Sequence, residues 1–91
     1  MQSNEGATAI MNAVQSDNLE NLELLVKYGA NVNHQDKRGF TSLHRAAEMG
    51  KNNLVLRLLE IGADKEISAE GHTALSLATA MKHEEIIKIL T

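Results

Sequence analysis

Apolar residues along this chain fall into short stripes at helical spacing, separated by polar stretches that carry no helical period. Ile10, Ala13 and Val14 stand at i, i+3 and i+4, and Leu22, Leu25 and Val26 repeat that spacing. Leu43, Ala46 and Ala47 come next, followed by the longer set Leu54, Val55, Leu58 and Leu59. Leu75 with Ala78, and then Ile86, Ile87 and Leu90, complete the series. The pattern predicts short helices in pairs, each with one apolar face. Helices of two to three turns do not stand alone in water, so each must be held by its neighbours.

Residues that bond to free backbone groups mark where these helices begin and end. Thr8, Thr41 and Thr73 each precede a stripe, where a hydroxyl accepts an unpaired N–H of the first turn. Asp17, with Glu20 three residues on, reads as a capping box that starts the second helix. Gly29 is placed to end that helix in the left-handed conformation, and Gly50 breaks the chain before the fourth stripe. Glu23 with Lys27, and Glu84 with Lys88, are predicted i,i+4 pairs on wet faces. Residues 30–38 and 63–70 suit extended connectors with a turn at the tip, the second one residue shorter.

The same phrases recur at a fixed distance. Gly6-Ala7-Thr8-Ala9-Ile10, Gly39-Phe40-Thr41-Ser42-Leu43 and Gly71-His72-Thr73-Ala74-Leu75 are spaced 33 and 32 residues apart. Leu25-Val26-Lys27-Tyr28-Gly29-Ala30 echoes as Leu58-Leu59-Glu60-Ile61-Gly62-Ala63. Periods of this length mark a stack of units, each burying its apolar faces against the next. Thr41-Ser42-Leu43-His44-Arg45-Ala46-Ala47, with the closing Gly29-Ala30 and Gly62-Ala63, resembles the ankyrin repeat.

The resemblance covers the chain from about Ser3 to Thr91. It implies an all-α solenoid: one domain over 1–91, with helix-turn-helix repeats at roughly 3–35, 36–67 and 68–91 and projecting β-turn connectors. The last repeat reads as truncated, which leaves Ile87 and Leu90 without a closing unit. The chain departs from the family at the proline after each capping threonine, where Ala9, Ser42 and Ala74 stand. Proline there presets the helical φ, so each helix start is expected to be slightly looser. The family histidine survives only as His44, which by resemblance ties neighbouring turns through hydrogen bonds.

Composition narrows the chemistry. Nine basic and 12 acidic residues give a net charge of −3 with no block of like charge, which argues against a nucleic-acid footprint. Tyr28 and Phe40 are the only aromatics, so bases find no stacking platform. No apolar run approaches the roughly 18 residues of a membrane span. The chain has no Cys, and His34, His44, His72 and His83 lack metal-ligand spacing. Ser42 and Ser76 lie within helices without a nucleophile elbow, and Gly29, Gly39, Gly50, Gly62 and Gly71 each punctuate a turn instead of forming a phosphate loop. Neither catalysis, cofactor nor metal is expected, and an intracellular setting, cytoplasmic ahead of nuclear, is.

In the family, partners lie on the turn tips and the exposed side of the first helices. Carried onto this chain, that surface comprises Asn4, Glu5, Ala7, Lys37, Arg38, Phe40, Glu70 and His72 on the tips. The first helices add Gln15, Ser16, Glu48, Met49, Ala80 and Met81. Phe40 and Met49 lie off the apolar stripes, and an aromatic or Met on a surface suits a binding anchor. Local packing of Phe40 is the equal alternative. Asn33 occupies a place that is hydroxylated in some ankyrin proteins, although turn support explains it more simply. The expected function is a non-catalytic scaffold surface for another protein. The alternative is a regulatory or targeting segment of a larger enzyme or channel. The expected state is a monomer, with self-association through the uncapped end as a further reading.

Overall fold

The structure, a computed structural model, describes residues 5–91, with side chains described from Ala9 onward. Six helices follow in chain order: α1 (Glu5–Gln15), α2 (Leu19–Lys27), α3 (Ser42–Met49), α4 (Asn52–Glu60), α5 (Ala74–Ala80) and α6 (Glu84–Leu90). They pair as α1 with α2, α3 with α4, and α5 with α6. The first helices of the pairs form one layer, in which α3 packs against α1 on one side and α5 on the other. Behind them, α4 packs against α6. Among the described residues there is no strand, only an isolated antiparallel bridge between Ala69 and His72. The molecule is an all-α stack, and none of its described helices is long and apolar enough to cross a membrane.

The stripes face inward as their spacing requires. Ile10, Ala13, Val14, Leu22, Leu43, Ala46, Ala47, Leu54, Val55, Leu58, Ala74, Ala78, Ile86 and Leu90 are all buried in one apolar core. Alanines at 46, 47 and 78 let neighbouring backbones approach, and the leucines and valines of the second helices fill the layer behind. Leu25, Val26, Leu59, Leu75 and Ile87 are half-buried at its margin. Leu90, expected to lack cover, is only 3% exposed: it turns into the stack, and Lys65 Nζ donates to its carbonyl at 3.1 Å.

The middle pair is the most completely enclosed. Thr41, in extended backbone geometry, caps α3 by accepting from the His44 N–H, while His44 Nδ1 accepts from the Thr41 N–H. His44 thus fills the place that glutamate or glutamine takes in the usual capping box. Ser42, standing in the family's proline position, is buried and donates to the Val32 carbonyl at 3.3 Å. Thr73 caps α5 through the Ser76 N–H at 3.2 Å, with Ser76 where α3 has its histidine.

Several expected boundaries and pairs differ. Helix α1 begins at Glu5, so Thr8 lies within it and not at its start. Ala9 explains this: a proline there would remove an N–H and clash one turn back, whereas alanine lets the helix run on. Helix α2 is capped by Asn18, whose side chain accepts from the Asn21 N–H at 3.0 Å, and not by Asp17. Asp17 instead takes the left-handed conformation at φ 56°. Gly50 and Lys82 hold the matching places, at φ 75° and 62°. After each, the next N–H reaches five residues back: Asn18 to Ala13, Lys51 to Ala46 and His83 to Ala78. That bond closes the helix end and competes with the capping reading of Asp17.

Glu23 does not pair with Lys27. Its carboxylate accepts two hydrogen bonds from Arg57 of α4, one from Nε and one from Nη2 at 2.8 Å. A planar guanidinium across the unit boundary outcompetes a flexible ammonium on the same helix. Arg57 depresses the Glu23 pKa, and Glu23 raises that of Arg57. Glu84 and Lys88 likewise form no ion pair with each other among the described residues.

Candidate functional site

One residue separates the two turn tips, and it changes how each is built. In the first, Asp36 Oδ1 accepts from the N–H groups of both Arg38 and Phe40 at 2.9 Å. Lys37, Arg38 and Gly39 make the loop, ending in a left-handed glycine at φ 91°. In the second, Ala69 and His72 exchange two backbone hydrogen bonds of 2.8 and 2.9 Å around Glu70 and Gly71. Their φ values of 52° and 83° are the two positive angles of a type I′ turn. The tips abut, since a Cβ added to Gly39 would lie 3.4 Å from that of Ala69.

This contact brings Arg38 and Glu70 together. Arg38 donates from Nε to Oε2 at 2.8 Å and from Nη2 to Oε1 at 2.7 Å, a two-pronged bond between tips. The guanidinium holds the Glu70 carboxyl below its ordinary range, and Glu70 raises Arg38 in return. The Arg38 guanidinium carbon also sits 5.0 Å from the centre of the Phe40 ring, within cation–π range. Phe40 is half-buried and meets His44 edge to face, with centres 5.3 Å apart and planes at 89°. His44 Nε2–H donates to the His72 carbonyl at 2.9 Å, anchoring the second tip to the first helix of the middle pair.

Beside this cluster lies a groove of about 220 Å³, lined by Arg38, Phe40, Arg45, Glu48, Glu70, His72 and Leu77. Arg45 Nη1 donates to Glu48 Oε1 at 2.9 Å, one turn apart on α3. Arg45 Nε is buried there without an acceptor among the described residues. His72 Nδ1 lies 3.0 Å from Ser76 Oγ. Five of the fourteen residues of the expected binding surface (Arg38, Phe40, Glu48, Glu70 and His72) therefore share one groove.

Among the described side chains, Lys37, Gln15, Ser16, Met49, Ala80 and Met81 stand outside its lining. Lys37 is exposed at the first tip, Gln15 is exposed at the end of α1, and Met49 is half-buried at the end of α3. Met81, 52% exposed, follows α5. Glu5 opens α1, but its side chain lies outside the described residues, as do Asn4 and the side chain of Ala7. Asn33 lies on a different part of the stack. Its Oδ1 accepts from the Asp64 N–H at 2.7 Å, and its Nδ2 donates to the Gly62 carbonyl at 3.0 Å. Both ends of that amide tie the first connector to the second.

Arg45 and Leu77 were not anticipated in the groove. Arg45 was legible as the i,i+3 partner of Glu48, and Leu77 as an apolar residue off its stripe in the register of Arg45. Leu24, Tyr28 and Leu56, which are 48%, 81% and 47% exposed on the second helices or just beyond, were also missed. Tyr28 and Leu24 are one turn apart, a spacing that reads as a single exposed ridge. Among the described residues, no three His, Asp or Glu side chains converge to hold a metal.

Known proteins carry the same pattern. A family described as ankyrin repeats, in three copies, matches residues 10–91. Human protein phosphatase 1 regulatory subunit 27 is 33% identical over 84 residues, covering 92% of this chain and 54% of that protein. The mouse protein of that name is 43% identical over 61 residues, covering 67% and 40%. Notch-regulated ankyrin repeat-containing protein A of Danio rerio is 42% identical over 55 residues, covering 60% and 49%. The chain thus spans about half the length of these relatives. With the repeated helix pairs, the capped signature around His44 and a family match over nearly its full length, this chain belongs to the ankyrin repeat family.

Proposed function

We propose that this chain is a non-catalytic interaction module that docks another protein on its turn-tip and first-helix surface, inside the cell and most naturally in the cytoplasm. Ankyrin repeats are in general protein-interaction modules, and the relatives include regulatory subunits. One observation carries the finer reading: side chains from two tips and two first helices converge on a single groove. The parts of that surface are held before any partner arrives, by the Arg38–Glu70 bond, the Phe40–His44 contact and the His44–His72 bond. A surface ordered in advance loses little conformational freedom on binding.

The test is affinity capture read by mass spectrometry, comparing the chain with an Arg38→Ala/His72→Ala/Leu77→Asn variant. Circular dichroism must first show that both fold alike. A partner held by the chain and lost by the variant is the expected result. A partner held equally by both would remove the groove from the binding surface. A second reading, a regulatory segment acting on a larger assembly, is favoured by the phosphatase regulatory subunits among the relatives. It differs in what the partner does and not in how it docks.

A further inference from the structure

We infer that the outer face of the α5–α6 pair docks a helix pair of another protein. That helix pair carries one carboxylate just before its second helix and another at the sixth position within it. The inference goes beyond the groove between the tips and stands independently of it.

Burial marks the side chains that meet a following pair. Leu43 and Val55, second in α3 and fourth in α4, are 1% and 0% exposed in the pair that α5 and α6 pack against. Leu75 and Ile87 hold the same places in α5 and α6 and are only half-buried. Thr79, exposed where Ala47 is fully buried, donates its hydroxyl to the Leu75 carbonyl at 2.8 Å and so brings no unmet donor to the face. The opposite end differs: Asn21 is exposed where Leu54 and Ile86 are buried, the polar outer face of a terminal unit. The α5–α6 face thus keeps the apolar side chains of an internal boundary, and each internal boundary of this stack is filled by a helix pair.

Charge selects which helix pair. At the first boundary Asp17 meets Lys51 at 3.6 Å, and Glu23 bonds Arg57. Asp17 is the left-handed residue before the cap of α2, and Glu23 is the fifth residue of α2. Their counterparts are the residue just before α4 and the sixth residue within it. Between the second and third pairs the places of Asp17 and Glu23 hold Gly50 and Leu56, and no ion pair joins them to the next helix.

In the α5–α6 pair these places hold Lys82 and Lys88. Both are exposed, and neither forms an ion pair among the described residues. The sign offered at the first boundary is therefore reversed, and the side chains that match it are carboxylates. Glu84 stands in the place of Leu19 and Asn52, which no ion pair of the inner boundaries uses. A second copy stacked head to tail offers no match, because its first pair holds Asn18 and Leu24 at the two receiving places.

The experiment converts the first pair of this chain into the inferred partner. The probe carries Asn18→Asp, Asn21→Leu and Leu24→Glu, with Lys82→Glu and Lys88→Glu to keep it from binding itself. Residues 18, 21 and 24 are exposed and aspartate caps a helix as well as asparagine, so the fold should hold, as circular dichroism will show. A probe without Asn21→Leu serves if the leucine impairs folding. Amide shifts of Leu75, Thr79 and Ile87 in the 15N-labelled native chain are followed at low salt and in about 0.5 M salt. The expected result is binding at these amides, about tenfold or more tighter than to a labelled Lys82→Glu/Lys88→Glu chain. Salt should weaken it. A reversed probe, with Asn18→Lys and Leu24→Lys, should restore binding to the Lys82→Glu/Lys88→Glu chain.

Equal binding to the native and Lys82→Glu/Lys88→Glu chains, or no shift at the three amides, overturns the inference. Shifts at Phe40 and His72 in their place would put the probe in the groove and overturn it too. Shifts that grow with the concentration of the native chain alone would assign the face to a second copy, with the same consequence.

Discussion

His44 Nε2–H donates to the carbonyl of His72 at 2.9 Å, while its Nδ1 accepts the N–H of Thr41 at 3.1 Å. Both ring nitrogens are thus used by one neutral tautomer, and a second proton would have to displace the Thr41 bond. Burial is the main cause that lowers the His44 pKa from its ordinary 6.5, outweighing the carbonyl bond that raises it. The unfolded chain therefore takes up this proton first as pH falls. Stability is constant with respect to this group above about pH 6.5 and declines below it, levelling once the folded pKa is passed. Urea midpoints measured from about pH 7 down to about pH 5.5 should fall for the native sequence. His44→Gln should start lower at neutral pH and lose less across the same window. A native midpoint that stays level would remove His44 as a titrating group.

Burial separates three substitutions that look alike in sequence. Leu58 is fully buried, and Leu58→Ala should cost about 2–5 kcal/mol through lost burial and the cavity left behind. Leu56, two residues earlier and 47% exposed, should cost within about 0.5 kcal/mol when changed to alanine. Thr41→Ala removes a buried cap and should cost about 1–2 kcal/mol, because the Thr41 Oγ1 contact to His44 Nδ1 at 2.9 Å is lost as well. Urea unfolding gives all three, and similar values for Leu58→Ala and Leu56→Ala would contradict the stacking register.

The stripes made the helices legible because apolar spacing is local, and Leu43, Ala46 and Ala47 needed no knowledge of the rest of the chain. Repetition of the stripes then showed that the units stack. Partner choice was not legible in the same way. Glu23 has a lysine four residues away on its own helix, yet it bonds Arg57 in the next pair. Only the stacking geometry shows that the guanidinium comes closer. Asp17 was misread for a related reason, since a residue that suits a cap also tolerates the left-handed turn that the helix end demands. Five residues of the candidate surface converged on the groove because family placement marks which edge of each unit is outward. Arg45 and Leu77 escaped because their role depends on what two separate pairs leave open between them.

The left-handed turn makes an opposite prediction at two matching positions. Gly50 has φ 75°, and a Cβ there would meet the His83 ring at 2.8 Å while His83 Nε2–H donates to the Glu48 carbonyl at 3.0 Å. Gly50→Ala therefore meets both backbone strain and a ring that is fixed by its own bond. It should cost more than about 1 kcal/mol. Lys82 has φ 62° at the equivalent place, where the strain of a Cβ is already present. Lys82→Gly relieves it at the expense of a more flexible unfolded chain, leaving a gain of up to about 1 kcal/mol. Thermal or urea unfolding of the two variants should move in opposite directions. Destabilisation of equal size in both would show that φ at this turn is not what glycine serves.

Coupling between Glu23 and Arg57 tests the stack where it matters, across the boundary of two helix pairs. Their hydrogen bonds join α2 to α4, so a double-mutant cycle with Glu23→Gln and Arg57→Gln should return favourable coupling. Both side chains are partly open to water, so the coupling should shrink as salt is raised. A parallel cycle pairing Glu23→Gln with Lys27→Gln should return none. These two cycles distinguish a helix stabilised along its own surface from one held by its neighbour. The sequence alone favoured the first, and the guanidinium at 2.8 Å from Glu23 Oε1 requires the second. If Lys27 carried the coupling and Arg57 did not, the two pairs would not be stacked in this register, and the tip contact that forms the groove would lose its support.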